Sequence, residues 1–206
     1  MVWSAYKLVV KSQTILIFLL REKMIHSVAV FCGASNAVAD SYKNEGMELG
    51  RDIARAGLRL VYGAANCGVM GAVANGALEE GGKVFGVFPR VLEGKEGVHN
   101  GLQELLIVDD MHTRKQAMFN HSDAFVVFPG GFGTMDETFE VITWKQLHTH
   151  QKPILLYNFN GYWDSWVAMT EQFIENNFAS QGTRKLYEVL PTRQAIMQAL
   201  SKAYIF

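Results

Sequence analysis

The sequence has little cysteine, no excess of charge of either sign, and no apolar run long enough to span a bilayer. Its two cysteines, Cys32 and Cys67, lack metal-ligand spacing and are too few for a disulfide framework in 206 residues. Nineteen basic and twenty acidic residues give a net charge of −1, which creates no general attraction to nucleic acid or anionic membranes. We therefore expect a cytoplasmic protein that binds a small molecule, with no nucleic-acid partner and no membrane partner.

Several common ligand motifs are also missing. The six histidines show no metal-site pattern, and His112 and His121 are more typical of core or capping residues than of catalysts, so no metal is predicted. No Gly-Lys-Ser/Thr follows the glycine-rich segment at 130–133, which excludes a P-loop. The apolar run at 26–31 is followed by one glycine where a dinucleotide fingerprint requires three, so no dinucleotide cofactor is expected.

The first 23 residues differ from the rest of the chain. Their apolar run "TILIFLL" at 14–20 is shorter than the about 20 residues that cross a bilayer, and no small-x-small cleavage site follows it. A dispensable extension, an additional packed element and a targeting segment are three open interpretations. The predicted organisation is an N-terminal extension of unassigned role at residues 1–23, followed by a single domain at residues 24–206.

Short apolar runs alternate with helical patterns from residue 25 onward, which is typical of βαβ units. The predicted strands lie at 26–31, 58–63, 83–88, 104–108, 123–128 and 153–157, with a short seventh at 187–190, and the predicted helices lie near 40–56, 69–80, 111–121, 134–149, 161–176 and 192–203. Continuous apolar strands must be buried on both sides. The predicted fold is therefore an α/β fold with an open, mostly parallel sheet of six or seven strands and helices on both faces.

The segment "FPGGFGTMDE" at 128–137 is the clearest indication of a ligand. It leaves an apolar strand through Gly130, Gly131 and Gly133 and enters a predicted helix at Thr134. Glycines allow steep turns and close approach of a ligand to the backbone, and the free N–H groups at a helix start form an anion site suited to phosphate. The alternative is a tight strand-to-helix turn that binds nothing.

Glu137 has two interpretations. With Thr134 it matches a capping box, in which both side chains satisfy backbone N–H groups at the start of the helix. In the functional interpretation, its carboxylate points into the cleft and meets a cation or an electron-poor carbon. Glu140 and Trp144 are spaced to share a helical face with Glu137, whereas Asp136 is expected to complement the helix dipole in the first turn.

Arg114 and Lys115 form a second charged segment at the end of a predicted strand. They begin a helix, where cations oppose the dipole, and a locally unfavourable charge indicates function. A guanidinium stays charged, so Arg114 is no ordinary proton donor, but it can clamp a phosphate or a leaving group. A solvated surface arginine is the alternative. Ser35 and Met111 lie in other loops at strand ends, where ligands of such sheets bind, and are predicted substrate contacts.

The segments "MHTRKQAM" at 111–118 and 122–163 closely resemble the LONELY GUY (LOG) family of cytokinin riboside 5′-monophosphate phosphoribohydrolases, and the resemblance extends from about residue 25 to the C-terminus. The paired Arg-Lys and the Pro-Gly-Gly-x-Gly-Thr-x-x-Glu motif are specific to this group and its close relatives. The resemblance implies a Rossmann-like fold, a homodimer or an assembly of dimers, and no cofactor. It also implies hydrolysis of the N-glycosidic bond of a nucleoside 5′-monophosphate, such as AMP or N6-substituted AMP, to free base and ribose 5-phosphate.

Individual residues match the family's motif. Arg114 and Glu137 match its two catalytic positions. The substrate-binding matches are Lys115, Gly130, Gly131, Gly133 and Thr134, and Glu140 is added because of its spacing from Glu137. Two loops depart from the family pattern. Ala64 and Ala65 replace glycines in the usual run after the second strand, and the loop at 32–35 has one serine where two are usual.

Two other functions stay open at this point. A general AMP nucleosidase of purine salvage would use the same catalytic pair and would differ in base preference. A non-catalytic carrier of a nucleotide-like ligand, of the molybdenum-cofactor type, would share the glycine-rich loop without needing Arg114 and Glu137. Bacterial members of the resembled family often carry a lysine decarboxylase label, but the sequence identifies no pyridoxal-phosphate lysine.

Overall fold

The computed structural model describes residues 23–94, 97–202 and 204–205, so the predicted extension lies outside the described residues except for Lys23. The strands are β1 (Lys23–Met24), β2 (Ser27–Phe31), β3 (Arg59–Tyr62), β4 (Val84–Pro89), β5 (Glu104–Val108), β6 (Ala124–Val127), β7 (Ile154–Tyr157), β8 (Glu188–Leu190) and β9 (Tyr204–Ile205). The α-helices are α1 (Asp40–Arg55), α2 (Gly68–Glu79), α3 (Met111–Asn120), α4 (Phe132–Gln146), α5 (Asp164–Glu175) and α6 (Arg193–Lys202). Across these ranges, no helix has both the length and the apolar character that crossing a membrane requires.

Seven strands form one parallel sheet in the order β5-β4-β3-β2-β6-β7-β8, while β1 and β9 form a separate antiparallel pair. The chain proceeds outward from β2 through β3 and β4 to β5, and then returns to place β6 on the other side of β2. The loops that follow β2 and β6 therefore leave the sheet in opposite directions. A crevice forms at this switch point, which is where ligands of open parallel sheets bind.

Helices cover both faces of the sheet, as predicted. Along β2, Val28 and Val30 pack into one apolar cluster, and Ala29 and Phe31 pack into the other, because side chains alternate along a strand. The first cluster is completed by α1, α2 and α6, and the second by α3, α4 and α5. Burial on both sides accounts for the continuous apolar runs in the sequence.

Helix α4 begins two residues before the predicted start, which changes the role of its first residues. Its N-cap is Gly131, in an extended conformation and without a side-chain cap. Thr134 is therefore the third helical residue, which rules out the capping-box interpretation of Thr134 and Glu137. The first turn contains no acidic residue, so the dipole role predicted for Asp136 is also wrong. Glu137 does not close the helix start.

Candidate active site

The loops after β2 and β6 line a cavity of about 350 Å³ at the switch point of the sheet. Residues 32–35 and the first turn of α4 form two of its walls. Met70, Leu92 and Met111 contribute an apolar wall. A concave site with a mainly apolar lining and a few converging polar groups is typical of small-molecule binding.

The glycines before and within α4 leave the start of the helix bare. None of Gly130, Gly131 and Gly133 has a positive φ, so backbone conformation does not require glycine here. A Cβ atom at Gly130 would lie 2.0 Å from Oγ1 of Thr134, whereas one at Gly131 or Gly133 would meet nothing within 4 Å. The first N–H groups of a helix have no intrahelical acceptor, and no side chain caps them here. The open space before them is suited to an anion.

Arg114 is buried in the cavity wall with most of its donors unused. It is 4% exposed and projects from α3, whose start is capped by a hydrogen bond from the backbone N–H of Thr113 to Asp110. Nη2 donates to the carbonyl oxygen of Gly63 at 3.3 Å, and Nη1 contacts Sδ of Met111 at 3.9 Å. Nε has no hydrogen-bond partner within the described part of the chain. A buried guanidinium with free N–H groups can donate hydrogen bonds to a ligand in the cavity.

Glu137 lines the same cavity from α4 and is 5% exposed. Burial raises the pKa of Glu137 to about 7, and the positive charge of Arg114 opposes this rise. The attraction acts over a distance, because neither of the side-chain contacts of Arg114 is with Glu137. The cavity therefore holds a carboxylate and a guanidinium that can both contact a molecule bound between them.

Lys115 and Glu140 are paired with each other. Nζ of Lys115 is 3.2 Å from a carboxylate oxygen of Glu140 and 3.0 Å from one of Asp136. Burial lowers the pKa of Lys115, but hydrogen bonds to Asp136 and Glu140 outweigh burial and raise it above its ordinary value. These ion pairs join α3, which carries Arg114, to α4, which carries Glu137.

The structure brings most of the predicted site residues together. The larger cavity is lined by the predicted residues Ser35, Met111, Arg114, Gly131, Gly133, Thr134 and Glu137. Gly130 lines an adjoining cavity of about 170 Å³. The lining side chains of Cys32, Met70 and Leu92 were not predicted. Ligands of open parallel sheets bind at the loops that follow the strands, and these three residues lie in such segments. No sequence signal showed which of the side chains face the cavity.

Fold and site together define a Rossmann-like α/β protein with an uncapped helix start and an acid–arginine pair in one cavity at the switch point. A family model described as "Possible lysine decarboxylase" matches residues 70–200. The cytokinin riboside 5′-monophosphate phosphoribohydrolase of Rhodococcoides fascians is 45% identical over 159 residues, which cover 77% of this chain and 80% of the relative. A protein of the same name from Arabidopsis thaliana is 37% identical over 175 residues, covering 85% and 81%. The chain belongs to the LOG family, which confirms the resemblance seen in its sequence.

Solved structures of other proteins share the fold. The molybdenum cofactor binding protein of Rippkaea orientalis matches with a TM-score of 0.65 at 18% identity, covering 84% of this chain and 94% of that one. A molybdenum-cofactor carrier protein of Chlamydomonas reinhardtii matches with a TM-score of 0.62 at 22% identity, covering 86% and 98%. At these identities the likeness concerns the fold alone, and it confirms the predicted Rossmann-like architecture.

Proposed function

We propose that this protein hydrolyses the N-glycosidic bond of nucleoside 5′-monophosphates and releases free base and ribose 5-phosphate. The observation that carries the proposal is the presence, in one cavity, of the buried Glu137 carboxylate and the under-bonded Arg114 guanidinium beside a bare helix start. The names of the relatives from Rhodococcoides fascians and Arabidopsis thaliana support it.

The start of α4 binds the 5′-phosphate in this proposal. The N–H groups of Gly133 and Thr134 and the positive end of the helix dipole attract the anion. Ser35 lines the same cavity, and its hydroxyl oxygen already accepts a hydrogen bond from the backbone N–H of Ala37 at 3.2 Å. The hydroxyl proton of Ser35 therefore stays available to a phosphate oxygen. Binding energy from this remote group positions the ribose against the catalytic residues.

Glu137 stabilises the positive charge that develops on the sugar. Breaking a ribosyl–base bond passes through an oxocarbenium-like state, and a nearby carboxylate binds that state more strongly than the neutral ground state. The buried setting of Glu137 strengthens the attraction, because few water molecules screen it. Water adds to the anomeric carbon as the bond to the base breaks, and Glu137 orients this water and the ribose hydroxyls.

Arg114 orients the nucleotide and stabilises negative charge on the departing base or the phosphate. Its unused N–H groups can donate a fork of hydrogen bonds to acceptors of this kind. Since the guanidinium keeps its proton, Arg114 acts by charge and position. The electron pair of the broken bond stays on the base, which then takes up a proton.

The apolar wall of the cavity favours a substituted adenine as the base. Met70, Leu92 and Met111 present aliphatic and thioether groups to the cavity that Arg114 and Glu137 also line. An N6 substituent made of hydrocarbon would be buried against this wall, whereas the amino group of plain adenine would leave it exposed. We therefore propose cytokinin nucleotides as better substrates than AMP, with AMP hydrolysis as a weaker activity of the same site.

Lysine decarboxylation, which the description of the family model suggests, does not fit this site. That chemistry uses a neutral lysine amine to form a Schiff base with pyridoxal phosphate. Lys115, on the helix that carries Arg114, is ion-paired with Asp136 and Glu140, and these hydrogen bonds raise its pKa. Its amine is therefore held in the protonated form.

We further propose that the protein acts as a homodimer in the cytoplasm. Strand β5 is an edge strand of the sheet, and two of its apolar side chains, Leu105 and Ile107, are 42% and 44% exposed. Apolar side chains on an edge strand favour association with a second surface.

The function is tested by measuring base release from four compounds: AMP, N6-isopentenyladenosine 5′-monophosphate, and the corresponding nucleosides without phosphate. The wild-type protein is expected to cleave both nucleotides, the N6-substituted one with the higher kcat/KM, and to cleave the nucleosides at least about 100-fold more slowly. Equal cleavage of nucleosides and nucleotides would contradict the phosphate-binding role of α4. Tight nucleotide binding without base release would instead favour a carrier.

A further inference from the structure

Gly63, at the carboxyl end of β3, lies directly against the guanidinium of Arg114. Its carbonyl oxygen accepts the hydrogen bond from Nη2 at 3.3 Å. A Cβ atom at Gly63 would lie 1.7 Å from Nη2, 2.8 Å from Cζ and 3.4 Å from Nε of Arg114. All three nearest atoms belong to the guanidinium, so a side chain at this position and the observed position of Arg114 exclude each other.

Surrounding residues hold both partners of this contact in place. Arg114 is 4% exposed, and Sδ of Met111 contacts its Nη1. On the other side, Ala64 has a φ of 62° and its carbonyl accepts a hydrogen bond from the backbone N–H of His99 at 2.9 Å. Left-handed backbone is costly for alanine, and strain of this kind persists where surrounding contacts hold it. The loop after β3 is therefore fixed close to the guanidinium.

We propose that Gly63 is a positioning residue of the site: the space left by its missing side chain and the acceptor on its carbonyl together hold the Arg114 guanidinium in the cavity. The contact itself stands on geometry, and its consequence for catalysis rests on the proposed function. An alanine at position 63 fills this space and displaces the guanidinium. Arg114 and Glu137 themselves are unchanged in this variant.

Displacing Arg114 also changes the electrostatics around Glu137. The charged groups that act on the pKa of Glu137 are Arg114 and Lys115 from α3 and Asp136 and Glu140 from α4. The thiol of Cys32, after β2, also faces Glu137: burial raises the pKa of that thiol, and Glu137 raises it further. Arg114 is the largest of the influences that lower the pKa of Glu137. Gly63→Ala is therefore expected to move the acidic limb of the pH profile of kcat/KM to higher pH, which a purely structural defect would not do.

The test is a double-mutant cycle with Gly63→Ala, Arg114→Ala and the double variant, each measured for thermal unfolding and for base release. Gly63→Ala is expected to lower Tm by about 5 °C in the wild type and by almost nothing in the Arg114→Ala background, where the space is vacant. It should lower kcat/KM by about 100-fold, and the double variant should be no less active than Arg114→Ala alone. If Gly63→Ala alone fails to fold, the double variant should still fold.

Gly82→Ala serves as the matched control. A Cβ atom at Gly82 would lie 2.5 Å from Cβ of Ala54 and 2.8 Å from the carbonyl oxygen of Ala77, at the amino end of the sheet and away from Arg114. Its effect on Tm is expected to be the same with and without Arg114. Equal destabilisation by Gly63→Ala in both backgrounds would overturn the proposal. A third outcome separates the two proposals. If Gly63→Ala lowers Tm only when Arg114 is present, but the wild-type protein releases no base, the anchoring of Arg114 is upheld and the proposed function is contradicted.

Discussion

Replacing Glu137 by glutamine is expected to stabilise the protein in mildly alkaline solution while it abolishes the proposed activity. Burial raises the pKa of Glu137 to about 7 in the folded protein, against an ordinary value of 4.5. Between these two pH values the folded state keeps a proton that the unfolded state has lost, so stability falls as the pH rises through this window. Below pH 4.5 both states are protonated and no penalty exists, whereas above about pH 7 the penalty is complete.

The magnitude follows from the difference between about 7 and 4.5. At about 1.4 kcal/mol for each pH unit, the raised pKa of Glu137 lowers the free energy of unfolding by about 3 kcal/mol at pH 8.5 and by about 1 kcal/mol at pH 5. Glutamine keeps the shape of the side chain and removes the charge, so it recovers this free energy. For a chain of this size, about 3 kcal/mol corresponds to a rise in Tm of roughly 6 to 12 °C.

The assay is urea unfolding of the wild type and Glu137→Gln at pH 5 and pH 8.5. The gain in the free energy of unfolding should be about three times larger at pH 8.5. Glu140→Gln on the same helix is the control: it weakens an ion pair with Lys115, so it should cost up to about 1 kcal/mol at pH 8.5. An equal change at both pH values for Glu137→Gln, or a loss of stability at pH 8.5, would refute the reasoning from a buried ionised carboxylate.

Four further outcomes are expected. The kcat/KM for base release should fall as the pH drops through about 7, because the catalytic form of Glu137 is the carboxylate; a flat profile between pH 6 and 8 would argue against this. Gly133→Ala should raise stability by up to about 1 kcal/mol, since alanine favours a helix, yet weaken AMP binding about tenfold in calorimetry, because its methyl group enters open space before the helix start. Ala64→Gly should change the free energy of unfolding by less than about 0.5 kcal/mol, because relief of the left-handed backbone offsets the loss of a buried methyl group. Ala65→Gly loses a buried methyl group without that relief and should cost about 1 kcal/mol in the same urea experiment. Light scattering should give the mass of a dimer, and a monomer at micromolar concentration would contradict the proposed assembly.

The fold was predictable because its strands are buried on both faces. Buried parallel strands appear as continuous apolar runs, and the predicted strand at 123–128 encloses the observed Ala124–Val127. The start of α4 was not predictable in the same way. Gly131 caps the helix with its backbone conformation alone, while Thr134 carries the hydroxyl that normally marks an N-cap. A side-chain pattern thus placed the helix start too late.

The members of the candidate site were easier to predict than their arrangement. Unfavourable charge in a helix start indicated Arg114, and the glycine-rich segment indicated the loop beside Glu137. The contact between Arg114 and Gly63 joins residues 51 positions apart, and only the pairing of strands in the sheet brings them together. Helical spacing predicted that Trp144 shares a face of α4 with Glu137, and only the structure shows that Trp144 packs edge-on against Phe119, with ring centroids 4.9 Å apart.

The central claim is that the Glu137 carboxylate promotes cleavage of the bond between ribose 5-phosphate and its base. The most direct measurement quantifies free base and ribose 5-phosphate formed from N6-isopentenyladenosine 5′-monophosphate at pH 8 by the wild type and by Glu137→Gln, with nucleotide binding measured in parallel. The wild type should release the two products in equal amounts, and Glu137→Gln should bind the nucleotide but release base at least about 1,000-fold more slowly. Release at the wild-type rate by Glu137→Gln would contradict the account.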